Sequence, residues 1–201
     1  DNPIKTIVIT SSNSSEGKST VAGNLAFSLS QNGSRTLLID CDLRKPSVHK
    51  KFLIPNDKGL TDVLFDKQDL KEVIKKIENN LYVLPCGTIP PNPAEILGSK
   101  TMEEFLDKLS INYDYIILDT PPVLAVTDAQ LLAAKSDATV LVVKANKTKG
   151  KTVINSYKEL EKVKANIIGT ILNDYDNSGE RLYYRHESDK KISKFLRKFK
   201  K

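Results

Sequence analysis

Ile4-Lys5-Thr6-Ile7-Val8-Ile9-Thr10 leads through Ser11 into Ser12-Asn13-Ser14-Ser15-Glu16-Gly17-Lys18-Ser19-Thr20, and the chain continues Val21-Ala22-Gly23-Asn24-Leu25-Ala26-Phe27. A β-branched strand runs into small polar residues, reaches Gly-Lys-Ser-Thr and opens an alanine-rich helix. Gly-Lys-Ser/Thr alone is common, but between a strand and a helix it is a P-loop. Backbone N–H groups of such a loop converge on an anion, and the helix N-terminus adds positive charge. Ser14, Ser15, Glu16, Gly17, Lys18, Ser19 and Thr20 are therefore the expected nucleotide-binding segment. Gly17 lets the backbone approach the phosphates without a Cβ in the way. Lys18 is expected to reach the β- and γ-phosphates, and Ser19 to offer a hydroxyl to Mg²⁺. The motif's first glycine is Ser12 here.

Downstream, apolar runs alternate with helical patterns, which predicts a parallel sheet flanked by helices on both faces, an α/β P-loop NTPase-like fold. Strands are predicted at Ile4–Thr10, Thr36–Asp40, Leu81–Pro85, Tyr115–Asp119, Thr139–Lys144 and Ile167–Leu172. Helices are predicted at Lys18–Gln31, Asp69–Glu78, Thr101–Leu109, Asp128–Lys135 and Thr148–Val163. Lys45–Asp66, interrupted by Pro46, Pro55 and Gly59, reads as irregular, and Ile89-Pro90-Pro91-Asn92-Pro93 as a rigid loop. In open parallel sheets the strand C-termini mark the ligand crevice.

Two strands end in acid there. Leu37-Leu38-Ile39-Asp40-Cys41-Asp42-Leu43-Arg44 places two carboxylates on one side of an extended segment. Tyr115-Ile116-Ile117-Leu118-Asp119 ends in the Walker B position, suited to Mg²⁺. Asp128, just before a helical pattern, reads as a cap.

At 201 residues the chain is large enough for one full core. Residues 1–174 read as the P-loop domain and residues 175–201 as a flexible tail. Two cysteines, Cys41 and Cys86, give neither a disulfide framework nor zinc spacing. The net charge of +6 is concentrated at the end: Lys190 to Lys201 hold seven basic residues and no acid, and the remainder sums to −1. A neutral body speaks against nucleic-acid binding. In the tail, Ile192, Phe195, Leu196 and Phe199 lie on one helical face among lysines, a pattern that suits a membrane surface. With no signal peptide and no apolar run of membrane-spanning length, a cytoplasmic location is expected. The first residue is Asp1, not Met, so the chain is expected either to be cut from a longer one or to lack its start.

These motifs resemble the bacterial tyrosine kinases of capsule and exopolysaccharide synthesis. The resemblance rests on the P-loop at Ser12–Thr20, the Asp-x-Asp-x-Arg run (Walker A′) at Leu37–Arg44 and the Walker B strand Ile116–Asp119. It continues in Arg44-Lys45-Pro46, Gly59-Leu60-Thr61-Asp62-Val63-Leu64, Pro90-Pro91-Asn92-Pro93-Ala94-Glu95 and Asp119-Thr120-Pro121-Pro122, covering Pro3 to Asn173. It implies an ATP- and Mg²⁺-dependent protein-tyrosine kinase, in a fold related to partition and division-site ATPases. Those relatives carry a signature lysine where this chain has Asn13, which favours the kinase branch. By resemblance, Lys18 holds phosphate, Ser19, Asp42 and Asp119 attend the metal, Asp40 or Asp42 is the base, Arg44 orients the acids or a neighbouring subunit, and Asn173 touches the adenine. The phosphoacceptors implied are Tyr183 and Tyr184, with Tyr175 upstream. Partners implied are a membrane-spanning activator, further copies of the chain, protein tyrosine substrates and, through the basic tail, the inner face of the membrane. The Glu-x-x-Arg-x-x-Arg ring-forming helix of the family is not found in this sequence. Two other readings compete: a partition-type ATPase switch, and a nucleotide-binding interaction subunit with little turnover.

Overall fold

The computed structural model describes residues 3–65 and 68–175. Tyr183, Tyr184 and the amphipathic pattern of the basic tail lie outside the described residues.

Seven strands form one sheet. β1 (Thr6–Ser11), β2 (Thr36–Asp40), β4 (Leu81–Leu84), β5 (Tyr115–Asp119), β6 (Ala138–Lys144) and β7 (Ile167–Asn173) all run parallel, and the two-residue β3 (Lys75–Lys76) runs antiparallel at one edge. The order is β3-β4-β2-β5-β1-β6-β7. Because β5 lies between β1 and β2, the C-terminal ends of all three adjoin. Asp119 is in register with Ile9 on one side and with Asp40 on the other. That crevice is where the sheet places its ligand.

Side-chain alternation explains why the strands read as continuous apolar runs: both faces are buried. Val8, Leu37, Ile39, Ile116 and Leu118 point into one core. It is closed by α3 (Leu60–Phe65), α5 (Pro93–Gly98), α6 (Lys100–Ser110), α7 (Asp128–Ala133) and α8 (Gly150–Lys162). Ile7, Ile9, Leu38 and Ile117 point into the other, under α1 (Lys18–Gln31) and α2 (Val48–Phe52). Ala22 and Ala26 of α1 are fully buried, so the small residues bring this helix close to the sheet and fix the phosphate loop against it.

Two expectations need correction. Lys45–Asp66 is not irregular, since α2 and α3 lie within it, and the Pro-rich loop gives way to α5, with Pro93 in its first turn. The helix predicted at Asp69–Glu78 is only α4 (Leu70–Val73) followed by β3. Ile74 packs into the first core and Ile77 into the second, and an extended chain can serve both faces of the sheet where a helix cannot.

Candidate active site

The loop between β1 and α1 folds over the end of the helix. Ser15 and Gly17 both have positive φ, 64° and 96°. Gly17 is the N-cap, so no side chain satisfies the first N–H groups of α1, and its first turn contains no acid. The positive helix end is left for an external anion. A Cβ on Gly17 would also run into the amide of Asn173. That amide donates from Nδ2 to the Glu16 carbonyl at 2.9 Å. At the position of the motif's first glycine, the Ser12 hydroxyl accepts from Ser156 of α8 at 2.8 Å.

The Lys18 ammonium sits at the centre of the acids. Its Nζ donates to Asp42 Oδ2 at 2.9 Å and stands 3.7 Å from Asp119 Oδ1. Burial works to lower its pKa, but the charges of Asp119 and Asp42 outweigh burial and raise it, so Lys18 is fully cationic. Asp40 is wholly buried and spent on backbone: Oδ1 accepts from Asp42 N at 3.2 Å, and Oδ2 from Ser47 N and Val48 N at 2.9 Å each. It therefore caps α2 from a distant strand. Burial, then repulsion from Asp119, pushes the Asp40 carboxyl up to about 7. Asp119 is buried too, and neither of its oxygens has a hydrogen-bond partner. Burial raises its pKa against the pull of Lys18.

A cavity of about 590 Å³ opens above these groups. One wall is the loop and helix start, including Ser14, Ser15, Ser19 and Thr20; Asp42 and Arg44 form another. Pro121, Pro122, Ala125 and Val126 supply a stiff apolar side. That side is tied to β1, because the Pro121 carbonyl accepts from Thr10 Oγ1 at 2.9 Å and Val123 N donates to the Ser11 carbonyl. Arg44 is held by a two-pronged pair with Asp128, Nε to Oδ2 at 2.9 Å and Nη2 to Oδ1 at 3.0 Å. Asp128 is thus not the cap it was expected to be. It is the first residue of α7, fully buried, and its carboxylate belongs to Arg44.

The structure brings together Ser14, Ser15, Gly17, Lys18, Ser19, Thr20, Asp42 and Arg44 around one cavity, with Asp119 and Asp40 behind it. Two of the expected nucleotide-binding residues have side chains with structural roles. The Glu16 carboxylate is turned inward, accepting from Asn13 N, Asn13 Nδ2 and Thr148 Oγ1, and so pins the loop. The Asn173 amide is likewise engaged by the loop backbone and does not line the cavity. The cavity wall also holds two residues that the sequence motifs do not mark, Ser47 and Lys51. Ser47 Oγ donates to Ser19 Oγ at 3.0 Å and Lys51 Nζ to Thr20 Oγ1 at 2.9 Å. The sequence signal was there in Ser47-x-x-x-Lys51, a helical spacing directly after Pro46.

The donor set fits a divalent cation. Asp119 offers two buried oxygens that accept no hydrogen bond and Ser19 a hydroxyl, while the Asp42 carboxylate beside them is engaged by Lys18 and by Lys45 N. Among the described residues, no three His, Cys, Asp or Glu side chains are grouped to hold a metal alone. That suits Mg²⁺, which takes one or two protein ligands and completes its shell with phosphate oxygens and water.

A family model described as an AAA domain matches residues 4–173. The chain is 44% identical over 174 residues to tyrosine-protein kinase YwqD of Bacillus subtilis (strain 168), covering 86% of this chain and 73% of that protein. Among solved structures it resembles the chimerical protein CapA2B2, with a TM-score of 0.85, 38% identity, and coverage of 88% and 79% of the two chains. It also resembles the kinase domain of the Escherichia coli tyrosine kinase ETK, with a TM-score of 0.83, 33% identity, and coverage of 90% and 72%.

Proposed function

Because the chain belongs to the bacterial tyrosine-protein kinases built on this AAA-type domain, we propose that it transfers the γ-phosphoryl group of ATP to tyrosine hydroxyls. The observation that carries this reading is the placement of Asp42. Its carboxylate lies on the cavity wall, 2.9 Å from the phosphate-loop lysine, where an acceptor hydroxyl would meet the γ-phosphate.

A tyrosine hydroxyl, with a pKa of about 10, is a weak nucleophile at neutral pH. Asp42 accepts its proton as the phenolic oxygen bonds to the γ-phosphorus. The bond from that phosphorus to the β–γ bridging oxygen breaks, and its electron pair leaves with ADP. Lys18 and the open N-terminus of α1 stabilise the charge on the phosphoryl oxygens. Bound Mg²⁺, held by Ser19 and Asp119, would neutralise phosphate charge and orient the chain of phosphates. Asp40 serves by position: its three backbone bonds hold Asp42 and α2 in place.

We assign the acceptors to Tyr183 and Tyr184, and the pathway to capsular or exopolysaccharide synthesis with a membrane-spanning activator. Among the described residues no helix is long and apolar enough to cross a membrane. The basic residues of Lys190–Lys201 would hold the chain at the membrane's inner face.

The test follows the γ-phosphate. The protein is incubated with γ-labelled ATP, Mg²⁺ and a tyrosine-containing peptide. Label on the peptide's tyrosine is expected; label found only as inorganic phosphate would make the protein an ATPase switch instead.

A further inference from the structure

We propose that Lys51 is a second phosphate-binding cation of this cavity, meeting the β- and γ-phosphates beside Lys18. The proposal rests on the nucleotide-binding reading of the cavity.

Four cations line the cavity, Lys18, Arg44, Lys45 and Lys51; Lys45 is exposed and solvated by water, and the other three differ in how they are neutralised. Lys18 has Asp42 and Asp119, and Arg44 has Asp128 in a two-pronged pair. Lys51 has a neutral hydroxyl, Thr20 Oγ1, at 2.9 Å, and no carboxylate of the described residues forms an ion pair with it. It is nevertheless half-buried. Burial lowers its pKa, Lys18 lowers it further, and Asp119 only partly opposes them. A desolvated ammonium therefore stands beside another cation and against the positive end of α1, an arrangement that an anion would relieve. Lys18, which acts on it electrostatically, lines the same cavity and is the loop lysine that reaches the β- and γ-phosphates.

The placement is built, not incidental. Asp40 caps the first turn of α2 at Ser47 N and Val48 N, Val48 is fully buried in the core below, and Ser47 is tied to Ser19. Lys51 is one turn further along the same short helix. The competing role is a tether, in which the Lys51–Thr20 bond merely fastens α2 to α1.

Isothermal titration with ATP, ADP and AMP separates the two roles, with thermal unfolding of the ligand-free protein alongside. Lys51→Met should weaken ATP by about ten-fold or more. It should weaken ADP less and AMP hardly at all, with ligand-free stability unchanged or raised. Lys51→Arg should recover most of the loss. Lys51→Gln provides the same comparison should the methionine variant fold poorly. An equal loss for all three nucleotides, or no loss, would overturn the proposal and leave the tether. Wild-type protein that binds none of the three would instead remove the nucleotide reading itself.

Discussion

Asp40 and Asp119 stand in register at the ends of adjacent strands, yet Asp40 accepts three backbone N–H bonds and Asp119 accepts none. The same residue type at the same height in the sheet thus has two functions. One carboxyl holds the protein together and the other is kept free for a ligand.

Their substitutions should therefore diverge. Asp40→Ala leaves two buried and one part-buried N–H groups without an acceptor and should cost about 3 kcal/mol of stability. Asp119→Asn removes a desolvated charge that accepts no hydrogen bond, but also an ion-pair partner of Lys18 at 3.7 Å, so the stability of the ligand-free protein should change little, while Mg²⁺-dependent nucleotide binding is lost. Urea unfolding of both variants, with and without Mg-ATP, checks the contrast.

The buried carboxyl also sets a pH dependence. Asp40 is raised to about 7 in the folded protein, by burial first and by Asp119 second. Between pH 4 and 7 the folded state holds a proton that the unfolded state has released. Its contribution to stability is complete below about pH 4 and is lost as pH rises through 7. The stability of wild type relative to Asp40→Asn should fall across that window, by at most about 1.4 kcal/mol per pH unit. Denaturation midpoints of both proteins from pH 4 to 8 would show it; a difference that is flat or rises with pH would contradict the titration.

Arg44 and Asp128 share one ion pair but not one environment. The arginine side chain is 41% exposed and the aspartate 0%. Arg44→Met strands a buried carboxylate, whereas Asp128→Asn leaves its partner in water. The first should destabilise by about 2–4 kcal/mol and the second by distinctly less. Arg44→Lys should not restore the loss, because an ammonium cannot make the two-pronged contact. Thermal unfolding of the three variants is the measurement.

Asn173 fastens the phosphate loop from the last strand. Asn173→Asp would set an acceptor against the Glu16 carbonyl where Nδ2 now donates. Nucleotide affinity should drop by about ten-fold, the loss of one buried hydrogen bond plus repulsion, with the fold intact by circular dichroism.

Much of this arrangement could be read from the chain because it is local. The strand, loop and helix from Thr6 to Gln31 are contiguous, and Asp40 and Asp119 lie at strand ends where apolar periodicity stops. What could not be read depends on distant contacts or on short elements. Arg44 meets Asp128 across 84 positions, so the aspartate looked like a cap for the helix it begins. Glu16 looks like part of the binding loop, but its carboxylate is claimed by Thr148, 132 residues away. Ser47 precedes, and Lys51 sits on, a five-residue helix that propensity alone cannot sustain; it exists because Asp40 caps it and Val48 anchors it.

Phosphoryl transfer to tyrosine driven by the Lys18–Asp42 pair is tested most directly by mass spectrometry after incubation with Mg-ATP. Wild type, Lys18→Met and Asp42→Asn would be compared, with the cytoplasmic segment of the proposed membrane-spanning activator added. Phosphotyrosine on Tyr183 or Tyr184 in wild type alone is the expected result. ATP hydrolysis with no phosphotyrosine on any protein present, or phosphotyrosine that persists in Lys18→Met, would contradict it.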